Sequence, residues 1–87
     1  AQEGVVVVVL VPGETPGIEA IGLPLDEDMP DFLADAQQHI VAAVGKLKGR
    51  DARDPAAIHE AARLAARRAA QRWSGKRPQV RVLMPGA

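Results

Sequence analysis

The sequence predicts an α+β domain in which two antiparallel helices pack on one face of a three-stranded mixed sheet. Three observations support this: seven consecutive branched apolar residues at 5–11, two amphipathic apolar stripes between 31 and 73, and an alternating apolar stretch at 79–84. Residues branched at Cβ are restricted at χ1 and fit a pleated sheet better than a helix. The element order is β-β-α-α-β. Placing the most apolar strand in the centre gives the sheet order 2-1-3.

The first strand is bounded by Gly4 and Pro12 and carries no polar residue. A strand with one solvated face alternates apolar with polar residues, so both faces of this strand are expected to leave water. Two helices cover only one face of a small sheet, and the other face or an edge is therefore expected to contact another molecule. The candidate contact residues are Val6, Val8, Leu10, Val80 and Val82, and the pattern leaves open which alternate set faces outward.

The remaining elements follow from turn and capping signals. Residues 12–17 are rich in proline and glycine and close a hairpin to a second strand at 18–23, where Gly22 is typical of a bulge or a close backbone approach. The acidic loop at 26–28 matches no calcium loop and favours a helix start, because carboxylates stabilise a helix N-terminus. The first helix is predicted over 31–48, with Gly49 as its stop. Asp54 and Pro55 are expected to open the second helix, which Ser74 and the following glycine end.

The charges are distributed unevenly along the chain. Residues 1–45 carry eight acidic residues and no lysine or arginine, whereas residues 46–87 carry eleven basic and three acidic residues. This distribution favours either charge balance within and between subunits or contact of the basic half with phosphate. Arg63 and Arg67 share a predicted helix face, and Lys76 and Arg77 follow its end, so these four are the candidate RNA contacts.

Residues with catalytic or metal-binding potential are scarce. His39 and His59 lie on predicted helices without a neighbouring acid–histidine motif, Ser74 has no base in motif spacing, and cysteine is absent. We therefore expect no catalytic residue, metal or cofactor in this chain. The absence of cysteine fits a reducing compartment such as the cytoplasm, and no apolar stretch is long enough to span a membrane. Residues 1–87 are interpreted as a single small domain, and the first residue, which is not methionine, suggests a fragment of a larger protein.

Several motifs, taken in order, resemble the small C-terminal domain of bacterial ribonuclease J. The segment Trp73-Ser74-Gly75-Lys76-Arg77-Pro78, followed by a strand, resembles the helix end, basic turn and terminal strand with which that family closes. The apolar strand beginning Gly4-Val5-Val6 also agrees. Ile21-Gly22-Leu23-Pro24 and Arg53-Asp54-Pro55 look most like the alphaproteobacterial branch. Members from Gram-positive bacteria tend to have an Arg-Gly-Phe element and a proline in the last strand, and this chain lacks both.

The resemblance implies a non-catalytic domain of an RNA-degrading and RNA-processing enzyme. Ribonuclease J cleaves RNA endonucleolytically and as a 5′–3′ exonuclease, with zinc in a metallo-β-lactamase domain combined with a β-CASP domain. The His/Asp ligand motif of that domain is absent here, so no catalytic residue is carried over. The C-terminal domain of the family is associated with oligomerisation and full activity. The expected partners are therefore a second copy, as homodimer or tetramer, and the parent's catalytic domains, with an RNA-binding module as the alternative.

Overall fold

The computed structural model of the chain describes residues 4–85, and its elements occur in the predicted order β-β-α-α-β. Short 3-10 turns at Asp26–Asp28 and Gly49–Arg53 precede the two helices. Glu3, counted among the acidic residues, lies outside the described residues. The elements are β1 at Val5–Val9, β2 at Gly17–Ile21, α1 at Met29–Gly45, α2 at Pro55–Ser74 and β3 at Gln79–Leu83.

The sheet has the predicted order, with β1 between β2 and β3. β1 is antiparallel to β2 and parallel to β3. Val7 lies between Glu19 on β2 and Arg81 on β3, which fixes the register across the sheet. Because side chains alternate along a strand, residues in one such row share a face. The register therefore assigns every residue of the three strands to one face or the other.

The first strand is shorter than predicted because the chain begins to turn after Val9. The Leu10 N–H still donates to the Leu83 carbonyl at 2.8 Å, but residues 11–14 form a turn in which the Glu14 N–H donates to the Val11 carbonyl at 3.0 Å. Gly13 follows Pro12 as the third residue of a type II turn, and its positive φ of 80° is a conformation that favours glycine. The last apolar residues of the run therefore belong to the connection.

The predicted close backbone approach at Gly22 is confirmed, and its partner is Gly4. A Cβ placed on Gly4 would lie 2.9 Å from the Ile21 carbonyl oxygen, and one on Gly22 would lie 3.3 Å from the Gly4 Cα. Both glycines also have positive φ, a backbone conformation that other residues rarely adopt. The two glycines therefore allow the chain to enter β1 directly beside the end of β2.

The hydrophobic core lies between the even-numbered face of β1 and the two helices. Val6 and Val8 are fully buried there, together with Phe32 and Ile40 of α1. The α2 residues on this face are alanines, which allow the helix backbone to lie close to its neighbours. These alanines are Ala62, Ala65, Ala66, Ala69 and Ala70.

The ends of α2 agree with the sequence signals, whereas α1 ends earlier than predicted. The Asp54 side chain accepts from the Ala56 N–H at 3.0 Å, and Gly75 closes the helix with a φ of 70°. α1 ends at Gly45, because beyond it the Leu47 N–H bonds to the Val44 carbonyl, the tighter i→i−3 pattern of a final turn. Within the described residues, neither helix combines the length and hydropathy required to cross a membrane.

Candidate interaction surface

The odd-numbered face of the sheet is the main apolar surface that the helices leave uncovered. Val5, Val7 and Val9 form its central stripe and are only half-buried. Ile21 on β2 is 64% exposed and Leu83 on β3 is 51% exposed, and they extend the stripe diagonally. We call this surface the open face; its other members are Gly17, Glu19, Gln79 and Arg81.

The predicted contact residues lie on the opposite side of the sheet. Val6 and Val8 are fully buried under the helices and Val82 is 9% exposed. Leu10 and Val80 are half-buried against the same core. None of these side chains belongs to the open face. The pairing register places the even-numbered residues of β1 and β3 toward the helices, and Leu10, just beyond β1, packs against the same core. The sequence left open which valines of β1 face away from the helices, and in the structure these are Val5, Val7 and Val9.

The four candidate RNA-contact residues differ in their surroundings. Arg63 donates from Nε to Glu60 Oε2 at 3.0 Å, and its guanidinium lowers the pKa of the Glu60 carboxyl. Arg67 and Lys76 are exposed on α2 and just after it. Arg77 is exposed and already has an interaction partner. A basic group held by a carboxylate is less available to a phosphate, so Arg63 is a weaker candidate than the exposed Arg67 and Lys76.

A polar cluster around Asp35 connects α1 to α2 by hydrogen bonds and an ion pair. The Trp73 indole Nε1–H donates to Asp35 Oδ2 at 2.9 Å, and the Arg72 guanidinium donates to the same oxygen at 3.1 Å. The Trp73 ring meets Phe32 edge-on, with the ring centroids 6.5 Å apart. This arrangement joins a core aromatic pair to a charged surface group. Hydrogen bonding from Trp73, reinforced by Arg72, lowers the pKa of the Asp35 carboxyl.

His39 belongs to the same cluster, and the sequence interpretation missed this. Its Nδ1 lies 3.3 Å from Asp35 Oδ1, one helical turn away, and 2.8 Å from the Asp35 carbonyl oxygen. Its Nε2 lies 3.3 Å from the Arg72 guanidinium. The i, i+4 spacing of Asp35 and His39 is visible in the sequence. The contact of His39 with Arg72, 33 positions away on α2, is not, and this contact makes the pair part of the polar cluster between the two helices.

An apolar groove lies where the β1–β2 connection meets the C-terminal half of α1. It has a volume of about 370 Å³ and is lined by Leu10, Pro12, Ile40 and Val44 among others. Val41, which is 51% exposed, also lines it. The groove is a second apolar surface, separate from the open face.

Metal-binding geometry is absent from the part of the chain that the structure describes. Across residues 4–85, no three or more histidine, cysteine or carboxylate side chains come together in a way that could hold a metal ion. The donor groups of residues 4–85 therefore do not form a zinc centre.

Comparison with known proteins agrees with the fold and with the sequence motifs. The family model of the ribonuclease J C-terminal domain matches residues 1–85, which is nearly the whole chain. No curated protein matches the chain by sequence. The chain thus belongs to the ribonuclease J C-terminal domain family and is a ribonuclease-associated domain.

Proposed function

We propose that this domain supports self-association of the ribonuclease J that carries it, and thereby the full activity of that enzyme. One observation supports this most directly: the open face presents a continuous apolar stripe from Ile21 through β1 to Leu83. No element within residues 4–85 covers it. Burial of apolar surface contributes about 25 cal/mol per Å², so covering this stripe favours association.

The nucleolytic chemistry is proposed to belong to other domains of the parent protein. Endonucleolytic and 5′–3′ exonucleolytic cleavage, with zinc, is the activity that the family resemblance implies. The open face carries mainly valine, isoleucine and leucine side chains, with one acid, one base, one glutamine and a glycine. Such a surface suits packing rather than bond cleavage. The contribution of this domain is therefore to bring copies of the enzyme together.

The test is the solution mass of the 87-residue chain and two matched variants, measured by sedimentation over a range of concentrations. Leu83→Asp places a carboxylate on the open face, and Val41→Asp places one in the apolar groove. Leu83 and Val41 are both 51% exposed in the wild-type chain, so neither substitution places a carboxylate in the buried core. We expect self-association of the wild-type chain and of Val41→Asp, and its loss in Leu83→Asp. Loss in Val41→Asp alone would move the contact to the groove and contradict the proposal.

RNA contact is the second candidate function. It rests on the exposed cations Arg67 and Lys76, together with four exposed basic residues at the α1–α2 connection. Those four are Lys46, Lys48, Arg50 and Arg53. Phosphate contacts of this kind provide affinity without sequence preference. Trp73 bonds to Asp35 and packs on Phe32, so both aromatic rings of the chain are engaged within the fold rather than presented to bases.

A further inference from the structure

The arrangement of charges on the open face suggests how two copies would meet. Glu19 and Arg81 flank Val7 in one row across the sheet, with the acid on β2 and the base on β3. Both side chains are exposed, and neither forms an ion pair with another residue in the range 4–85. Neighbouring strands lie about 4.8 Å apart, so the two outer strands are roughly 10 Å apart within one copy. Each charge is therefore available to a partner above the sheet.

Two simple two-fold arrangements bring open faces together, and they differ in which charges meet. If the axis lies parallel to β1, each copy's β2 faces the partner's β3, and Glu19 meets Arg81 twice. If the axis lies in the interface but perpendicular to the strands, Glu19 meets Glu19 and Arg81 meets Arg81. Like charges in contact oppose association and opposite charges favour it. The charges therefore select the axis parallel to β1.

The shape of the face agrees with the same choice. Gly17 and Leu83 lie on either side of Val9, in a row one step further along the strands. A Cβ on Gly17 would meet only the Val9 Cβ, at 3.8 Å, so the face is hollow at this position. With the axis parallel to β1, the protruding Leu83 of each copy lies over the Gly17 hollow of the other. Aligned sheets pack with their strands within about 30°, which preserves these row-to-row contacts approximately.

We infer that the open face binds a second copy of this domain about a two-fold axis parallel to β1, with Glu19 and Arg81 pairing reciprocally between the copies. This rests on the proposed function and specifies its geometry. The face spans roughly 14 Å across three strands and 17 Å along them, from standard strand spacing and rise. That is small beside the ~1,200 Å² or more that stable interfaces bury. The isolated domain should therefore associate weakly, with a dissociation constant in the high micromolar range.

The experiment compares the wild-type chain, Glu19→Lys, Arg81→Glu and an equimolar mixture of the two variants by sedimentation at low salt. Each single variant turns both reciprocal pairs into repulsive ones, so we expect about tenfold weaker self-association, which corresponds to about 1.4 kcal/mol. In the mixture, Lys at position 19 of one chain meets Glu at position 81 of the other, and Arg81 meets Glu19. The mixture should therefore associate as tightly as the wild type. The differences should diminish in high salt, which screens exposed pairs.

The possible outcomes separate this inference from the function on which it rests. The inference would be overturned if the mixture associated more tightly than the wild type and the wild type associated no more tightly than either variant. That result would place Glu19 opposite Glu19 and Arg81 opposite Arg81. Equal association of all four samples would overturn it as well. In both cases the proposed function would stand if Leu83→Asp abolished association. A wild-type chain that remained monomeric at every concentration would overturn both.

Discussion

Two adjacent valines of β1 should differ strongly in how much the same substitution destabilises the chain. Val8 is fully buried against the helices, whereas Val7 is half-buried on the open face. Replacing valine by threonine preserves shape and branching at Cβ, so strand propensity is nearly unchanged and the added hydroxyl is the main difference. The pair therefore isolates the effect of burying a polar group on each face of the sheet.

The expected magnitudes follow from burial. Within residues 4–85 no polar side chain is buried, so a threonine hydroxyl at position 8 has no side-chain partner there. Protein data give a cost of about 1–3 kcal/mol for such a group. At Val7 the hydroxyl reaches solvent, and surface substitutions usually change stability by about 0.5 kcal/mol or less. A domain of this size has a free energy of unfolding of roughly 5–10 kcal/mol, so the Val8→Thr effect is readily measured.

The assay is urea unfolding, monitored by circular dichroism and by the fluorescence of Trp73. Measurements at low protein concentration keep the chain monomeric, since association adds a concentration-dependent contribution to stability. Val8→Thr should lower the unfolding midpoint with an unchanged m-value, and Val7→Thr should leave it almost unmoved. Equal losses for the two variants, or a larger loss for Val7→Thr, would refute the assignment of the two faces.

Three further predictions concern the helices. Asp35→Asn should lower the free energy of unfolding by about 1 kcal/mol at neutral pH, a reduced value for a charged hydrogen bond that is partly exposed. The pKa of Asp35 is lowered in the folded chain, so the Asp35 carboxylate stabilises the fold above the unfolded pKa of about 3.9, and this stabilisation is lost as the pH falls through the folded pKa. The difference in unfolding free energy between wild type and Asp35→Asn should therefore disappear in acid. A difference that does not depend on pH would contradict this. Asp54→Ala removes the N-cap of α2 and should cost about 1 kcal/mol in thermal or urea unfolding, whereas no loss would show that the cap bond is dispensable. If the domain contacts RNA, the double variant Arg67→Ala with Lys76→Ala should weaken binding to a single-stranded RNA probe and reduce the salt slope by about 1–2, and unchanged affinity would exclude this surface.

The sequence predicted the element order and sheet order well because each element has strong local signals. The run of residues branched at Cβ, the N-cap and proline of α2, and the Ser74-Gly75 stop at its end act over short distances. The central strand was identified correctly because its composition, unlike that of β2 and β3, contains no polar residue. These features depend on neighbouring residues and need no knowledge of tertiary contacts.

The face of β1 was harder to assign, because five identical valines carry no alternation. The information lies instead in the neighbouring strands, where Glu19 and Arg81 alternate with apolar residues. The face to which Val7 belongs follows only from its pairing with Glu19 and Arg81, and the sequence alone did not predict this register. The Asp35–Trp73 bond was missed for a similar reason, since it joins two helices across 38 positions.

The most direct test of the proposed assembly is a methyl NMR spectrum of the chain recorded from micromolar to millimolar concentration. If two copies meet through the open face, the methyl signals of Val5, Val7 and Val9 should shift together with concentration. Those of Val6 and Val8, buried under the helices, should remain nearly fixed. Shifts confined to Val41 and Leu10 would place the contact in the apolar groove, and spectra independent of concentration would contradict self-association of this domain.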